Sequence, residues 1–178
     1  MFKTIYLDCP WPERGGGRCK RGADRHYELI TSKHEMLRTI IQSPMWQPAD
    51  DAHMYMWATD NYLEWATWLI PALGFKRHRA LPWTKSRMGL GQYFRSCHEW
   101  LLFATRGKGK RVCEPGTFRT DALVGAPQPV DERGRRIHSA KPEAAYDLIE
   151  ARSRGPYLEM FAREQREGWD AWGSEIDD

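Results

Sequence analysis

The sequence predicts an α/β protein in which a largely parallel central sheet is flanked by helices. Apolar runs of strand length alternate with longer segments of helical periodicity, a pattern typical of strand–helix–strand units. The first strand-like run ends in a carboxylate, and open α/β sheets bind their ligands beyond the carboxyl ends of their strands. With 178 residues, 41% of them hydrophobic, the chain can form one domain over 1–178 with a substantial core.

The chain begins with a strand and a long loop. Residues 3–8 form a short apolar run, and the glycine-rich residues 9–27 predict a loop. Ser32 followed by Glu35 matches a capping box. The spacing of the apolar residues after Ser32 therefore predicts the first helix, which ends at the prolines that follow it.

A second strand and helix come next. Residues 52–59 predict a buried strand. Asn61, with Glu64 three positions later, predicts the amino-terminal cap of the next helix. Pro71 should kink or end this helix, and Gly74 should close it.

The middle of the chain contains predicted strands and loops. Strands are predicted at 76–84 and 98–105, with a loop over 85–95 between them. A short strand is predicted around 121–125, and residues 127–137 predict a loop.

The carboxyl-terminal part predicts one helix and one strand. Pro142 suits the first turn of a helix. The run "PYLEMFAR" predicts a last buried strand, and "GWDAWGSE" predicts an irregular end. Together these elements give the alternation on which the fold class depends.

The distribution of charge indicates a polyanionic partner. The net charge is +3, but residues 1–141 hold 23 Lys and Arg against 14 Asp and Glu, whereas residues 142–178 hold 4 against 10. The basic residues gather in loops at about 9–25, 84–96 and 106–118, which could line one groove for a polyanion. Ordinary solvated loops would give the same composition, so charge alone leaves both explanations open.

Targeting signals and metal motifs are not evident in the sequence. No apolar run is long enough to span a membrane, and the amino terminus has no secretory pattern. We therefore expect a cytoplasmic protein without a membrane partner. The four cysteines form no C-x-x-C pair and no zinc spacing with histidine, so no metal is expected.

The motif Asp8-Cys9-Pro10-Trp11 follows the first strand. Asp8 supplies a carboxylate, Cys9 before a proline offers a carbonyl held in an extended backbone, and Trp11 offers a flat ring. Two acceptors and a stacking surface suit a flat ring with an exocyclic amine. The acceptors would also stabilise the positive charge that grows on the attacking nitrogen. For these four residues alone, a turn with an Asp cap and a buried Trp is the better explanation.

Several further segments, in order, resemble one family. The motif resembles the D-P-P-W of the adenine-N6 methyltransferases named for the 70-kDa subunit of the mRNA adenosine methyltransferase (MT-A70-like), which include small bacterial and phage DNA-modifying enzymes. "HYELITSKHE", "AHMYMWATDNYLEWATWLIPALGFK", "LPWTKS" and "GLGQYFRSCHEWLLFATRG" resemble further blocks of the family, as do "HSAKPEAAYDLIE", "LEMFAR" and "GWDAWGSE". The resemblance covers nearly the whole chain.

The resemblance implies a fold, a cofactor and a reaction. The implied fold is a Rossmann-like methyltransferase sheet with circularly permuted motifs, in which the catalytic motif comes first. The implied cofactor is S-adenosylmethionine, and the implied product is N6-methyladenine. Protection of a genome from restriction is the implied biological role of a small enzyme of this type.

The resemblance also implies site residues. The implied catalytic residues are Asp8, Cys9, Pro10 and Trp11. The implied cofactor-binding residues are Asp8, Lys141, Glu159, Arg163, Ser174 and Glu175. The residues expected to bind the substrate are Tyr27 and Glu99, which border the base pocket in the family, together with the basic loop residues Arg14, Arg18, Lys20, Arg21, Lys85, Arg87 and Arg95.

Two positions depart from the family pattern. Cys9 replaces a proline, and a main-chain carbonyl contact there would tolerate this change. Ser174 replaces an asparagine, which places its contact with the adenosine in doubt.

Three functions compete at this point. The first is methylation of adenine in DNA, preferred because the chain lacks added RNA-binding modules, with RNA as the runner-up. The second is a non-catalytic nucleic-acid-binding subunit of the same fold, against which the retained Asp8, Pro10 and Trp11 argue. The third is a small-molecule methyltransferase, against which the basic loops argue. The recognition sequence and the oligomeric state stay open, with a homodimer as one possibility.

Overall fold

The structure is a computed structural model that describes residues 1–13, 30–89, 93–137, 139–174 and 176. Six strands and three α-helices follow one another in these described residues. In chain order they are β1 (Phe2–Leu7), α1 (Lys33–Gln42), β2 (Pro48–Ala58), α2 (Leu63–Ala72), β3 (Lys76–Thr84), β4 (His98–Arg106), α3 (Glu143–Arg152), β5 (Tyr157–Met160) and β6 (Trp169–Trp172). No helix among these residues is both long and apolar enough to cross a bilayer.

The six strands form one sheet in the order β3–β4–β2–β1–β5–β6. β1 is parallel to both of its neighbours, β2 and β5, and β5 is parallel to β6. β4 is antiparallel to β2 and β3. Five strands therefore end at the same edge of the sheet, which confirms the predicted largely parallel sheet. We call this edge, where β1 ends at Leu7, the carboxyl edge.

The sheet is buried on both faces because its side chains alternate. Ile5 and Leu7 of β1 point into the apolar cluster that contains Met36 of α1 and residues of α2. Tyr6 points to the opposite face and joins the cluster that contains Ile149 of α3. All five are fully buried, and burial of each large apolar side chain contributes about 1.5–3 kcal/mol.

The ends of α1 and α2 confirm two of the predicted signals. The Ser32 hydroxyl accepts a hydrogen bond from the backbone N–H of His34 at 3.3 Å, which confirms Ser32 as the cap of α1. Pro71 lies in the last turn of α2. Gly74 follows with a φ of +82°, a left-handed conformation that glycine adopts without a steric penalty.

The predicted cap at Asn61 is wrong. A short 3-10 helix, Asp60–Tyr62, precedes α2, and the N-cap residue of α2 is Tyr62, which makes no side-chain capping bond. The Asn61 amide instead donates to the Glu13 carboxylate at 3.0 Å. The fold brings the Glu13 carboxylate close, and a bond to this charged acceptor orients the Asn61 amide more strongly than a neutral capping bond would.

Two other local predictions are also wrong. Residues 121–125 form turns instead of a strand, and Leu123 is buried against the sheet from this turn. The run predicted to be an irregular end contains the edge strand β6, Trp169–Trp172. Its pairing with β5 supplies backbone hydrogen bonds that the local sequence does not indicate.

The basic loops do not all lie at one edge of the sheet. Because β4 is antiparallel, the loop of about 84–96 lies at the carboxyl edge and the loop of 106–118 begins at the opposite edge. There the backbone N–H of Lys108 and the guanidinium of Arg111 both donate to Asp51, at 2.6 and 3.2 Å. The third loop therefore does not join a groove at the carboxyl edge. Most of the 9–25 loop lies outside the described residues.

Gly173 holds the end of β6 close to the segment that follows β5. The Ala162 N–H donates to the carbonyl of Trp172 at 3.0 Å. A Cβ added at Gly173 would lie 2.1 Å from the Ala162 carbonyl oxygen, which is far inside van der Waals contact. Only a residue without a side chain allows this approach of the two backbones.

We expect Gly173→Ala to lower the free energy of unfolding by about 1–3 kcal/mol, because one of the two backbones must move. Urea denaturation measures this change. The next residue, Ser174, is exposed, so the matched control Ser174→Ala should change the stability by less than about 0.5 kcal/mol. Equal stabilities for the two variants would contradict this packing.

Candidate active site

Asp8 lies at the centre of the carboxyl edge, one residue beyond β1. Its backbone N–H donates to the Met160 carbonyl of β5 at 3.4 Å, so that the end of β5 holds its backbone. Its side chain is 16% exposed. The fold therefore presents this carboxylate at the position where open α/β sheets bind ligands.

Trp11 fixes the turn that follows Asp8. Its indole N–H donates to the Trp57 carbonyl at 3.0 Å, and its ring stacks on Tyr62 with centroids 5.8 Å apart and an interplanar angle of 8°. Trp11 is only 5% exposed. One face of the indole is therefore used inside the protein, and stacking on an adenine, which the sequence predicted, requires the other face.

Two further contacts hold the same turn. The Tyr62 hydroxyl donates to the Pro12 carbonyl at 2.6 Å. The Glu13 carboxylate accepts from the Thr59 hydroxyl at 2.5 Å and from the Asn61 amide. The residues just after β2 thus form hydrogen bonds with this turn, and these contacts fix the position of Asp8.

Cys9 and Pro10 form the first part of the turn. The Cys9 carbonyl accepts the backbone N–H of Trp11 at 2.8 Å. A carbonyl oxygen has two lone pairs, so its predicted contact with an amine stays a prediction. Burial, and to a lesser degree the nearby Asp8, raises the pKa of the Cys9 thiol well above its usual value, which keeps the thiol neutral.

Lys141 connects two of the predicted site residues. Its ammonium lies 2.7 Å from one Asp8 oxygen and 2.8 Å from the other, and 3.6 Å from a Glu99 oxygen. Lys85 forms an ion pair with the other oxygen of Glu99. We call Asp8, Lys141, Glu99 and Lys85 the charge cluster; two positive charges match its two negative charges.

Mutual attraction keeps Lys141 and Glu99 of the charge cluster ionised. Burial alone would lower the pKa of Lys141, but the carboxylates of Asp8 and Glu99 outweigh burial and raise it. Burial alone would raise the pKa of Glu99, and the ammonium groups of Lys141 and Lys85 together reverse this effect. Buried charges are tolerated because each has a partner of opposite sign.

The backbone two residues before Lys141 has a strained conformation, and this turn positions the Lys141 side chain. Ser139 has a φ of +57°, a left-handed conformation that costs a non-glycine residue about 1–3 kcal/mol. The Ser139 carbonyl accepts a hydrogen bond from the Lys141 ammonium at 3.1 Å. This turn brings Lys141 back over the carboxyl edge before α3 begins.

Glu159 lies on β5, beside Tyr6 of β1. The Tyr146 hydroxyl of α3 lies 3.1 and 3.0 Å from its two oxygens. Burial raises the pKa of Glu159 to about 7, and the charge of Asp8 contributes in the same direction. Further hydrogen-bond donors to this carboxyl would compensate for its burial.

The resemblance assigns these groups to the nucleoside and amino-acid parts of S-adenosylmethionine. Adjacent ribose hydroxyls are neutral donors, which a buried carboxylate such as Glu159 needs. Arg163 lies close enough to act electrostatically on Lys141. Ser174 is exposed just beyond β6. Glu159 lies near the end of β5, and Arg163 and Ser174 follow β5 and β6, at the carboxyl edge where the resemblance predicts the cofactor.

The structure brings together some of the predicted site residues and leaves others apart. Asp8, Lys141, Glu99 and Lys85 form one connected cluster. Arg87 is exposed on the loop after β3, and the Arg95 guanidinium donates to the Gly89 carbonyl at 2.9 Å. The predicted residues that lie outside the described part are Arg14, Arg18, Lys20, Arg21, Tyr27 and Glu175.

The sequence did not indicate several residues that shape the site. Tyr146 binds Glu159, and Arg166 lies 4.3 Å from the centre of the Tyr146 ring. The Trp57 indole donates to the Tyr6 hydroxyl at 2.6 Å beneath Lys141, whose ammonium is 5.6 Å from the Trp57 ring. An aromatic side chain in a buried strand or helix resembles ordinary core, so only the assembled fold identifies these contacts.

The protein belongs to the MT-A70 family of adenine-N6 methyltransferases, whose sequence model matches residues 2–175. Members of this family generally depend on S-adenosylmethionine. The predicted Rossmann-like methyltransferase fold is confirmed, with a chain that begins at a central strand of the sheet. Within the described residues, no group of three or more His, Cys, Asp or Glu side chains is arranged to hold a metal ion.

Particular relatives come from fungi and from a bacterium. The chain is 28% identical to the N6-methyladenosine RNA methyltransferase MTA1 of Pyricularia oryzae, over 98% of this chain and 47% of that protein. It is 27% identical to the MTA1 of Cryphonectria parasitica, over 99% and 52%. It is 33% identical to the type II methyltransferase M.MunI of Mycoplasma sp., over 99% and 78%. The chain therefore spans about half the length of the two fungal relatives.

The raised pKa of Glu159 predicts a dependence of stability on pH. Between its ordinary value of 4.5 and its folded value of about 7, the folded protein keeps a proton that the unfolded chain releases. The folded state therefore loses stability as the pH rises through this window. Removal of the carboxyl removes this loss.

We expect Glu159→Gln to gain stability relative to the wild type as the pH rises from 4 to 8, by at most ~3 kcal/mol. Urea denaturation without cofactor, at several pH values, measures the difference. Tyr146→Phe keeps the carboxyl and is the control, because it should retain the dependence on pH. A difference between Glu159→Gln and wild type that does not vary with pH would contradict the assignment.

Proposed function

We propose that this protein transfers a methyl group from S-adenosylmethionine to the exocyclic amine of adenine in DNA and forms N6-methyladenine. One observation carries the proposal: Asp8 is an ion-paired carboxylate beyond the central strand, with Lys141 2.7 Å away. When bound, S-adenosylmethionine supplies an activated methyl group on a sulfonium centre. The other requirements of the reaction fall on the protein.

Asp8 is suited to hold the amine. A carboxylate has about four acceptor positions, so Asp8 can accept a hydrogen of the amine while it remains bound to Lys141. Its charge would stabilise the positive charge that grows on the nitrogen, and the same oxygen could then take the released proton. Lys141 weakens the field of Asp8 but fixes its orientation.

Glu159 is suited to hold the cofactor ribose. Burial raises its pKa even though the Tyr146 hydroxyl donates to it, and two ribose hydroxyls would supply further donors. Tyr146 orients the carboxylate from α3. We assign Arg163 and Lys141 to the charged part of the cofactor, in line with the predicted roles.

Two observations support a nucleic acid as the methyl acceptor. Tyr93 and Phe94 are 94% and 93% exposed on the loop between β3 and β4, and the basic Arg95 follows them. Exposed rings next to cations suit stacking on bases and attraction to phosphates. The target adenine must leave its stack, or be single-stranded, before its amine reaches Asp8.

DNA is the preferred substrate, with RNA as the second candidate. The similarity to the type II methyltransferase M.MunI supports DNA. This similarity has a higher identity than those to the fungal relatives and covers more of the relative's length. The similarity to the fungal RNA methyltransferases supports RNA. A non-catalytic subunit is less favoured, since Asp8 is retained and held by a built ion pair.

Transfer of labelled methyl groups to DNA and RNA oligonucleotides of equal sequence tests this function. We expect N6-methyladenine in DNA with the wild-type protein. Asp8→Ala should lower the rate by about 10²–10³-fold, the size of effect seen when one electrostatic contact to the reacting group is removed. Mass spectrometry of the nucleosides, together with mapping of the modified position, identifies the product.

Asp147→Asn is the matched control, because Asp147 is exposed on α3 and should leave the rate unchanged. Transfer to RNA alone would establish the second candidate. Binding of nucleic acid without transfer by the wild type would favour the non-catalytic subunit. An Asp8→Ala variant as active as wild type would overturn the role of the carboxylate.

A further inference from the structure

A cavity of about 320 Å³ opens beside the charge cluster. It lies between the end of β3 and a segment that precedes α3, and its size is at the lower end of the range for ligand sites. The residues that line it are Trp83, Thr84, Lys85, Ser86, Gly125, Ala126, Pro127, Gln128 and Arg136. Arg136, Ser86, Thr84 and Gln128 have no role in the site described above.

Lys85 joins this cavity to the charge cluster. It lines the cavity, and its ammonium is 4.7 Å from the centre of the Trp83 ring. The same ammonium binds Glu99, which shares Lys141 with Asp8. Lys85, Glu99 and Lys141 thus form a continuous chain of contacts between the cavity and Asp8.

The cavity presents donors to a ligand. The Ser86 hydroxyl accepts from the Arg136 guanidinium at 2.7 Å, and the Thr84 hydroxyl accepts from the Gly125 N–H at 2.7 Å. Each hydroxyl keeps its own hydrogen to donate. Arg136 adds a cation, Lys85 adds a second one that is also bound to Glu99, and the residues that line the cavity include no carboxylate. This set of donors favours an anion.

A short hairpin fixes the backbone of Arg136. Val130 and Arg136 pair as a β-bridge, and the Ile137 N–H donates to the Pro129 carbonyl at 3.0 Å. Of the two acids of the hairpin, Asp131 forms its ion pair with Arg135, and Glu132 is exposed. Arg136 thus has a neutral partner, Ser86, and its charge stays available to a ligand.

We propose that this cavity binds the phosphodiester group adjacent to the target adenine. A guanidinium can bind two phosphate oxygens at once, and hydroxyl and ammonium donors complete such a site. The adjacent phosphate is joined to the adenine through the sugar of the same nucleoside. Binding of this phosphate would therefore limit the distance between the adenine and Asp8. The inference rests on the proposed function and adds the group that positions the nucleic acid.

The first test measures the salt dependence of binding to a single-stranded DNA that the wild type methylates at one mapped adenine. Loss of one phosphate contact should reduce the slope of log K against log salt by about 0.7. We expect this reduction for Arg136→Gln. Arg133→Gln, an exposed residue of the same hairpin that does not line the cavity, should keep the wild-type slope.

The second test locates the phosphate. One neutral methylphosphonate at a time replaces the linkages on either side of the mapped adenine. We expect about tenfold weaker binding by the wild type at one adjacent linkage, as for loss of a charge-assisted hydrogen bond. The same replacement should have little further effect on Arg136→Gln, because the two groups interact with each other. Ser86→Ala removes the hydroxyl bound to Arg136. For this variant, the methylphosphonate at the same linkage should weaken binding less than it does for the wild type.

The outcomes separate this inference from the proposed function. A wild type that methylates DNA, together with an unchanged slope in Arg136→Gln, would overturn the phosphate site alone. Coupling at a linkage distant from the adenine would overturn its adjacent position. A wild type that neither binds nor methylates DNA would overturn the proposed function, and this inference with it.

Discussion

The site depends on one ammonium group between two carboxylates. Lys141 contacts both oxygens of Asp8 and lies 3.6 Å from Glu99. Without it, Asp8 would lose its ion-pair partner, and Glu99 would lose one of the two ammonium groups that lower its pKa. The turn at Ser139, whose backbone is left-handed, brings this side chain over the end of β1 before α3 begins.

The charge cluster is neutral as a whole, and this has consequences for the chemistry. A neutral cluster can be buried at moderate cost, yet each member keeps a local charge that an incoming group can use. Asp8 faces the proposed amine, whereas Lys85 faces the cavity that we assign to a phosphate. In that assignment Arg136, which lies outside the cluster, supplies the positive charge that pairs with the phosphate.

Much of the polar network supports the turn from Asp8 to Glu13 and takes no part in the proposed reaction. Trp11 binds the Trp57 carbonyl, and Glu13 binds the residues just after β2. The turn is therefore part of the site. Residues at and just after the end of β2 hold it in place, and this fixes the Asp8 carboxylate. Glu159 differs, since its hydroxyl donor comes from α3 and its burial leaves it ready for further donors.

The sequence by itself determined the fold class, the family and the residues of the charge cluster, because alternating apolar periodicity and ordered motifs are local properties of the chain. It also located the caps at Ser32 and Gly74, where one residue's chemistry decides the helix end. Only the tertiary structure decided that β6 is a strand, that Asn61 binds Glu13 and that the 106–118 loop begins at the opposite edge. It also decided that Tyr146 binds Glu159 and that Arg136 lines the cavity. These features depend on partners far apart in the chain, and no local pattern can specify a contact whose other half is brought in by the sheet.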